Sequence, residues 1–158
     1  RLEGLKMCFI GDGNNMVNSL IVGCLKVGME VSVACPKGYD PHPDVLAFAR
    51  EAGHGFSLVR DPLEAAAGVD VVFTDVWASM GQEGEAEQRR AAFAGIYQVN
   101  EKLLGAANEG CMVQHCLPAH RGEEITAEVL EAHAAEIFDE AENRLHAQKA
   151  VMVALLKE

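Results

Sequence analysis

Aromatic residues are scarce in this chain, at 6% with a single Trp, and basic charge is outweighed. Against 24 Asp and Glu stand 13 Lys and Arg, a formal net charge of −11. A phosphate-backbone binder carries a basic stripe, so the balance argues against nucleic acid as a partner. It says little about which small molecule is bound, because an acidic surface is common among soluble metabolic proteins. No CxxC pair occurs. The five cysteines at 8, 24, 35, 111 and 116 are odd in number and scattered, which disfavours a disulfide framework or a zinc site and fits a reducing compartment. No apolar run approaches the ~18 residues of a membrane span, and no basic stretch leads into an apolar one at the start. The expectation is a cytoplasmic chain with no membrane association. Arg1 opens the sequence, and Gly4-Leu5-Lys6 runs straight into an apolar stretch. That start resembles a cut near a domain boundary.

What is present suits a packed core. The chain has 158 residues, 49% of them hydrophobic and 23% charged, which fits one domain of ordinary composition. Short apolar runs at 7–10, 31–34, 69–74 and 111–113, with a weaker one at 56–59, are rich in Val, Ile and Phe. They are too short for helices and suit strands buried on both faces. Between them, Met16, Val17, Leu20, Ile21, Cys24 and Val27 recur at helical spacing, and Gly28 falls where a left-handed cap is wanted. Asp61-Pro62-Leu63-Glu64 offers an N-cap, a Pro at the first helical position and a carboxylate three residues on. Asp139-Glu140-Ala141-Glu142 repeats the capping pattern before a long segment ending at Leu156, which puts Arg144 in the first turn of the last helix. Thr126 is expected to cap a helix running to His133. The polar, acidic segment 75–90 reads as a long loop.

Strands alternating with helices, each strand apolar throughout, predict a single α/β domain. It is a doubly wound, mostly parallel five-stranded sheet with helices on both faces, Rossmann-like. In such sheets ligands sit beyond the carboxyl ends of the strands, where strand order reverses. The candidates are therefore the residues at 12–15, 35–37, 75–80 and 114–118.

Each of these segments has a bland reading beside the functional one. Gly11-Asp12-Gly13-Asn14-Asn15-Met16 is near the dinucleotide fingerprint but lacks its third Gly and the acid ending strand two, so NAD fits poorly. Its two Asn residues suit helix capping, or an amide presented to a ligand. Asp75-Val76-Trp77-Ala78-Ser79-Met80-Gly81 could grip an ammonium group, or Asp75 could simply bond its own loop backbone. His115-Cys116-Leu117-Pro118-Ala119-His120-Arg121-Gly122 packs a thiol, two imidazoles and a guanidinium into one turn. A Cys–His hydrolase dyad is disfavoured, since neighbours on an extended segment point to opposite sides. A thiolate beside an ammonium is chemically more sensible, and a buried structural Cys in a Pro-fixed turn stays open. Arg144 has a planar fork suited to phosphate or a carbonyl oxygen, or is a solvated surface Arg.

These segments, together with Phe138-Asp139-Glu140-Ala141-Glu142-Asn143-Arg144 and in this order, resemble ornithine carbamoyltransferase over essentially the whole chain. The resemblance implies that residues 1–158 form the ornithine-binding domain. It further implies that Asn15, Asp75, Ser79 and Met80 bind L-ornithine, and that Cys116, Leu117 and Arg144 meet carbamoyl phosphate. Cys116 and Arg144 would be the catalytic pair. The family's Ser-Thr-Arg-Thr phosphate loop and His-Pro-x-Gln segment do not occur here, so the N-terminal carbamoyl phosphate domain is expected to be missing and the chain alone to be inactive. Aspartate carbamoyltransferases place Pro where Cys116 stands and lack the Ser-Met-Gly loop. The implied reaction, a step of arginine biosynthesis, yields citrulline and phosphate and needs no metal or organic cofactor. The implied assembly is a homotrimer or a multiple of it. A paralogue using another amine, and a non-enzymatic amino-acid-binding module on the same fold, remain as alternatives.

Overall fold

The structure is a computed structural model describing all residues except His54, Met80, Gln82 and Glu158, with the Glu83 side chain also left aside. Five parallel strands form one sheet: β1 (Lys6–Ile10), β2 (Glu30–Ala34), β3 (Phe56–Val59), β4 (Val71–Thr74) and β5 (Met112–His115). Their spatial order is β3-β2-β1-β4-β5. The order reverses between β1 and β4, whose registers pair Met7 with Val71 and Ile10 with Thr74.

Period-two alternation explains why the strands are apolar throughout. Met7 and Phe9 of β1 join Val31 and Val33 of β2 and Phe73 of β4 on one face, against Val17, Ile21 and Leu25 of α1 (Asn15–Lys26). Ala49 of α2 (Pro43–Ala52) packs on the same side. Cys8 and Ile10 face the other way, with Val72 and Val113. There they meet α3 (Pro62–Ala66), α4 (Ala86–Phe93), α5 (Glu101–Leu104), α6 (Ala127–Ala132) and α7 (Ala134–Leu156). A strand covered by helices on both faces has no solvent side on which to place polar residues.

The local signals in α1, α3 and α6 are realised. Gly28 takes φ +82 just past α1, Asp61 Oδ1 accepts from Leu63 N at 2.9 Å to cap α3, and Thr126 caps α6. Two expectations are corrected. The acidic segment after β4 is not one long loop: a 3-10 turn at Glu83–Glu85 leads into α4. The last helix starts at Ala134, so Asp139-x-x-Glu142 lies inside it and caps nothing, and Arg144 sits in its third turn, not its first. With α6 ending at Ala132 and His133 flanking both helices, the chain re-enters helix before the capping-like letters are reached. α2, α4 and α5 were not anticipated. No helix among the described residues is long and apolar enough to cross a membrane.

Candidate functional site

The reversal point between β1 and β4 opens a crevice at the carboxyl ends of the strands, as parallel open sheets do. Gly11 leaves β1 at φ +150 and Gly13 leaves no room for a Cβ against the backbone of Asp40. The turn is therefore tight enough to bring the start of α1 up beside β4. Asn14 closes it. Its Oδ1 accepts from Met16 N at 3.0 Å and Val17 N at 3.3 Å, and its Nδ2 donates to Asp75 Oδ2 at 2.8 Å. Capping is thus the role of Asn14, while Asn15 is exposed at the crevice.

Asp75 follows β4 directly and is 6% exposed. Its Oδ1 accepts from Val76 N at 2.9 Å, so the loop-bonding reading of this carboxylate holds alongside its place in the crevice. The loop beyond is braced from behind by Arg89 of α4. That buried guanidinium donates to Asp12 Oδ2 at 2.8 Å and to the carbonyl of Trp77 at 3.1 Å, and lies 5.2 Å from the centre of the Tyr39 ring. Burial pushes the Asp12 carboxyl up from its ordinary range, and Arg89 pulls against that rise.

From the far side comes the turn after β5. His115 is fully buried. Its Nδ1 accepts from Leu117 N at 2.9 Å, which puts the ring proton on Nε2, 3.1 Å from Glu124 Oε1. The same Glu124 oxygen accepts from His120 N. One buried carboxylate thus pins both halves of the turn 115–120, and Leu117 is held at φ +52. His115 has both ring nitrogens engaged, so it serves the backbone and leaves Cys116 alone, as the opposite-sides argument anticipates. The Cys116 thiol is pushed up from its ordinary pKa by burial first, then by the charges of Asp75 and Glu140. The expected thiolate is therefore disfavoured here: the free site holds Cys116 as a neutral thiol.

These loops enclose a cavity of about 600 Å³ lined by Asn15, Asp75, Ser79, Cys116, Leu117 and Arg144, with Met16, Arg90, His120 and Glu123 among its other walls. All the site residues singled out from the sequence that lie among the described ones converge there. Met80 lies outside the described residues. Gln114 and the segment 35–37 do not line this cavity. Lys37 instead borders a neighbouring hollow of about 680 Å³ that shares Asn15 and Ser79. Sequence reasoning missed Arg89, Arg90, Glu123 and Glu124. The capping reading of the Asn-Asn pair at the helix start is borne out by Asn14.

An acid and an exposed Arg lining one crevice suit a zwitterionic ligand. Residues 3–155 match the family described as aspartate/ornithine carbamoyltransferase, Asp/Orn binding domain. The chain belongs to that family. An ornithine carbamoyltransferase of Gloeobacter violaceus is 54% identical over 160 residues, covering 99% of this chain and 51% of that protein. The solved ornithine carbamoyltransferase of Pyrococcus furiosus superposes with a TM-score of 0.87 at 48% identity, over 96% of this chain and 50% of that one. The anabolic ornithine carbamoyltransferase of Campylobacter jejuni gives a TM-score of 0.91 at 42% identity, over 96% of this chain and 51% of that one. The chain spans about half the length of the curated relatives it matches. The doubly wound parallel sheet expected from the strand pattern is the fold these relatives share.

Proposed function

We propose that residues 1–158 are the ornithine-binding half of an ornithine carbamoyltransferase, the carbamoyl phosphate half being supplied by an N-terminal domain outside this sequence. The observation that carries the reading is the convergence of Asn15, Asp75, Ser79, Cys116, Leu117 and Arg144, from four separated segments, on one cavity. Ornithine suits that cavity better than aspartate, because Asp75 on its wall would repel a second carboxylate, whereas an ammonium answers it.

In this reading the ornithine δ-nitrogen, having lost a proton, attacks the carbamoyl carbon. The bond from that carbon to the phosphate oxygen breaks, and citrulline and phosphate leave. Asn15, Asp75, Ser79 and Met80 hold the amino-acid end, fixing the reach of the side chain so that the nitrogen lies near ~3 Å from the carbon. Cys116 and Leu117 face the reacting amine. Arg144 stabilises negative charge on the carbonyl oxygen or phosphate, a contribution of ~3–4 kcal/mol per donor in such sites. None of these steps calls on a metal or an organic cofactor. Homotrimeric assembly, or a multiple of it, and a cytoplasmic setting accompany the reading, and five free cysteines suit a reducing compartment.

The test is citrulline formation by the full-length protein. L-Ornithine with carbamoyl phosphate should give product, and L-aspartate or putrescine in its place should not. Asp75→Ala should raise the ornithine KM by about tenfold or more. Product from aspartate, or an unchanged KM, would overturn the assignment of the cavity.

A further inference from the structure

We propose that Glu140 is the second carboxylate of the cavity's cation site, setting its preference for an amino acid that carries a side-chain ammonium. The proposal rests on the ornithine reading and adds to it a residue to which neither the fold nor the motif assigned a role. Glu140 stands in the second turn of α7, the helix packed against β5, one turn before Arg144. Its Oε2 is buried and has no hydrogen-bond partner. Its charge acts on the Cys116 thiol, and the charges of Asp75 and His115 act on it.

Two carboxylates brought together around a neutral thiol are an unfavourable arrangement on their own. A buried acid without a partner loses its hydration, and a like charge nearby adds repulsion. Glu140 carries both marks: burial pushes its carboxyl up, and Asp75 pushes it further while His115 works against the rise. His115 relieves little of this, because both its nitrogens are engaged with Leu117 and Glu124. A cation entering beside Cys116 removes both penalties at once.

The charges of ornithine fit this count. It brings two ammonium groups and one carboxylate; Glu123 on the wall is already paired with Arg90, so Asp75 alone leaves one ammonium unanswered, and Glu140 supplies the second negative charge. Glu140 is not on the cavity wall, so it acts through its field across Cys116 rather than by touching the ligand. It is a positioning and specificity residue.

Glu140→Gln keeps the shape and removes the charge. In the full-length protein, at saturating carbamoyl phosphate, it should raise the ornithine KM about tenfold. The inhibition constant of L-2-aminopentanoate, which has the same carbon chain without the terminal amine, should not change. A second measurement needs no turnover: the rate of alkylation of Cys116 against pH, read by mass spectrometry of its peptide. Removing the Glu140 charge should lower the pH midpoint by about one unit. Asp139→Asn, an equal charge change on the exposed neighbouring position, should move neither. If Glu140→Gln leaves the KM and the midpoint as in the wild type, the proposal is wrong. Equal weakening of both ligands would also overturn it, since that marks a structural role. If the wild-type protein makes no citrulline, the ornithine reading fails, and the alkylation midpoint still decides whether Glu140 charges the cavity.

Discussion

The side-chain amide of Asn14 ties the first turn of α1 to the Asp75 carboxylate, 2.8 Å away and 61 positions further along the chain. One residue therefore caps a helix with its oxygen and orients a cavity carboxylate with its nitrogen. Both ends of the amide are needed, so local helix formation and the geometry of the site depend on the same side chain.

Asn14→Ala removes both functions. Loss of the cap costs about 1 kcal/mol, and the freed Asp75 oxygen about 1 kcal/mol more. Urea unfolding should show a midpoint lowered in that proportion, and the full-length variant should use ornithine less well at unchanged carbamoyl phosphate KM. A variant as stable as the wild type would mean that the Asn14 bonds contribute nothing net.

Arg89 and Asp12 form a pair with side chains 10% and 9% exposed. Arg89→Met strands the Asp12 carboxylate, a loss of about 3–5 kcal/mol at neutral pH. The sign of the pH dependence follows from Asp12, whose carboxyl is raised in the fold by burial and is restrained by Arg89. A raised folded pKa means the folded state holds the proton more tightly, so this contribution to stability is lost as pH rises through that value. Without Arg89 the rise is larger. The deficit of Arg89→Met relative to wild type should therefore shrink as pH falls from about 7 toward 4.5, measured by urea unfolding at each pH. A deficit constant across that range would show that Asp12 is not the group left stranded.

Glu124 accepts from both His115 and His120 while 0% exposed. Glu124→Ala leaves the buried His115 donor and the part-buried His120 N–H without an acceptor and should cost about 2–3 kcal/mol. It should also loosen the turn carrying Cys116 and Leu117, so kcat in the full-length protein should fall more than stability at assay temperature accounts for. Normal kcat in a folded Glu124→Ala protein would show that the turn holds its shape without the pinning carboxylate.

What the sequence made legible follows from which interactions are local. β1, β2 and β4 read as strands because each is buried on both faces, and α1, α3 and α6 because their caps are spelled in neighbouring residues. The site segments carrying Asn15, Asp75 with Ser79, and Cys116 with Leu117 were legible because each follows a strand end, while Arg144 in α7 was found by its motif. α4 was not, since its inward face consists of Arg89 and Phe93. A buried Arg whose partner is Asp12, 77 positions away, looks like a solvated charge in any hydropathy pattern. The start of α7 was missed for the opposite reason: Asp139-x-x-Glu142 has the letters of a cap, but tertiary contact of Ile137 with the core carries the helix through them. The charge state of Cys116 was likewise out of reach, because it is set first by burial and then by Asp75 and Glu140, all of which only the fold supplies.

That charge state yields the sharpest test of the mechanism. Because burial and two carboxylates hold the Cys116 thiol above its ordinary range, it stays protonated where a free thiol would ionise, near pH 8.5. Replacing it by Ser keeps a donor toward Asp75 but changes its size and polarity. In the full-length protein, Cys116→Ser should lower kcat and ornithine use by at least about tenfold while leaving carbamoyl phosphate binding near normal. The shape of the pH–rate profile should survive the change, since no thiolate is titrating in either protein. A wild-type inflection near pH 8 that disappears in Cys116→Ser would show instead that the ionised sulfur takes part, and that the ammonium of bound ornithine lowers the thiol further than Asp75 and Glu140 raise it.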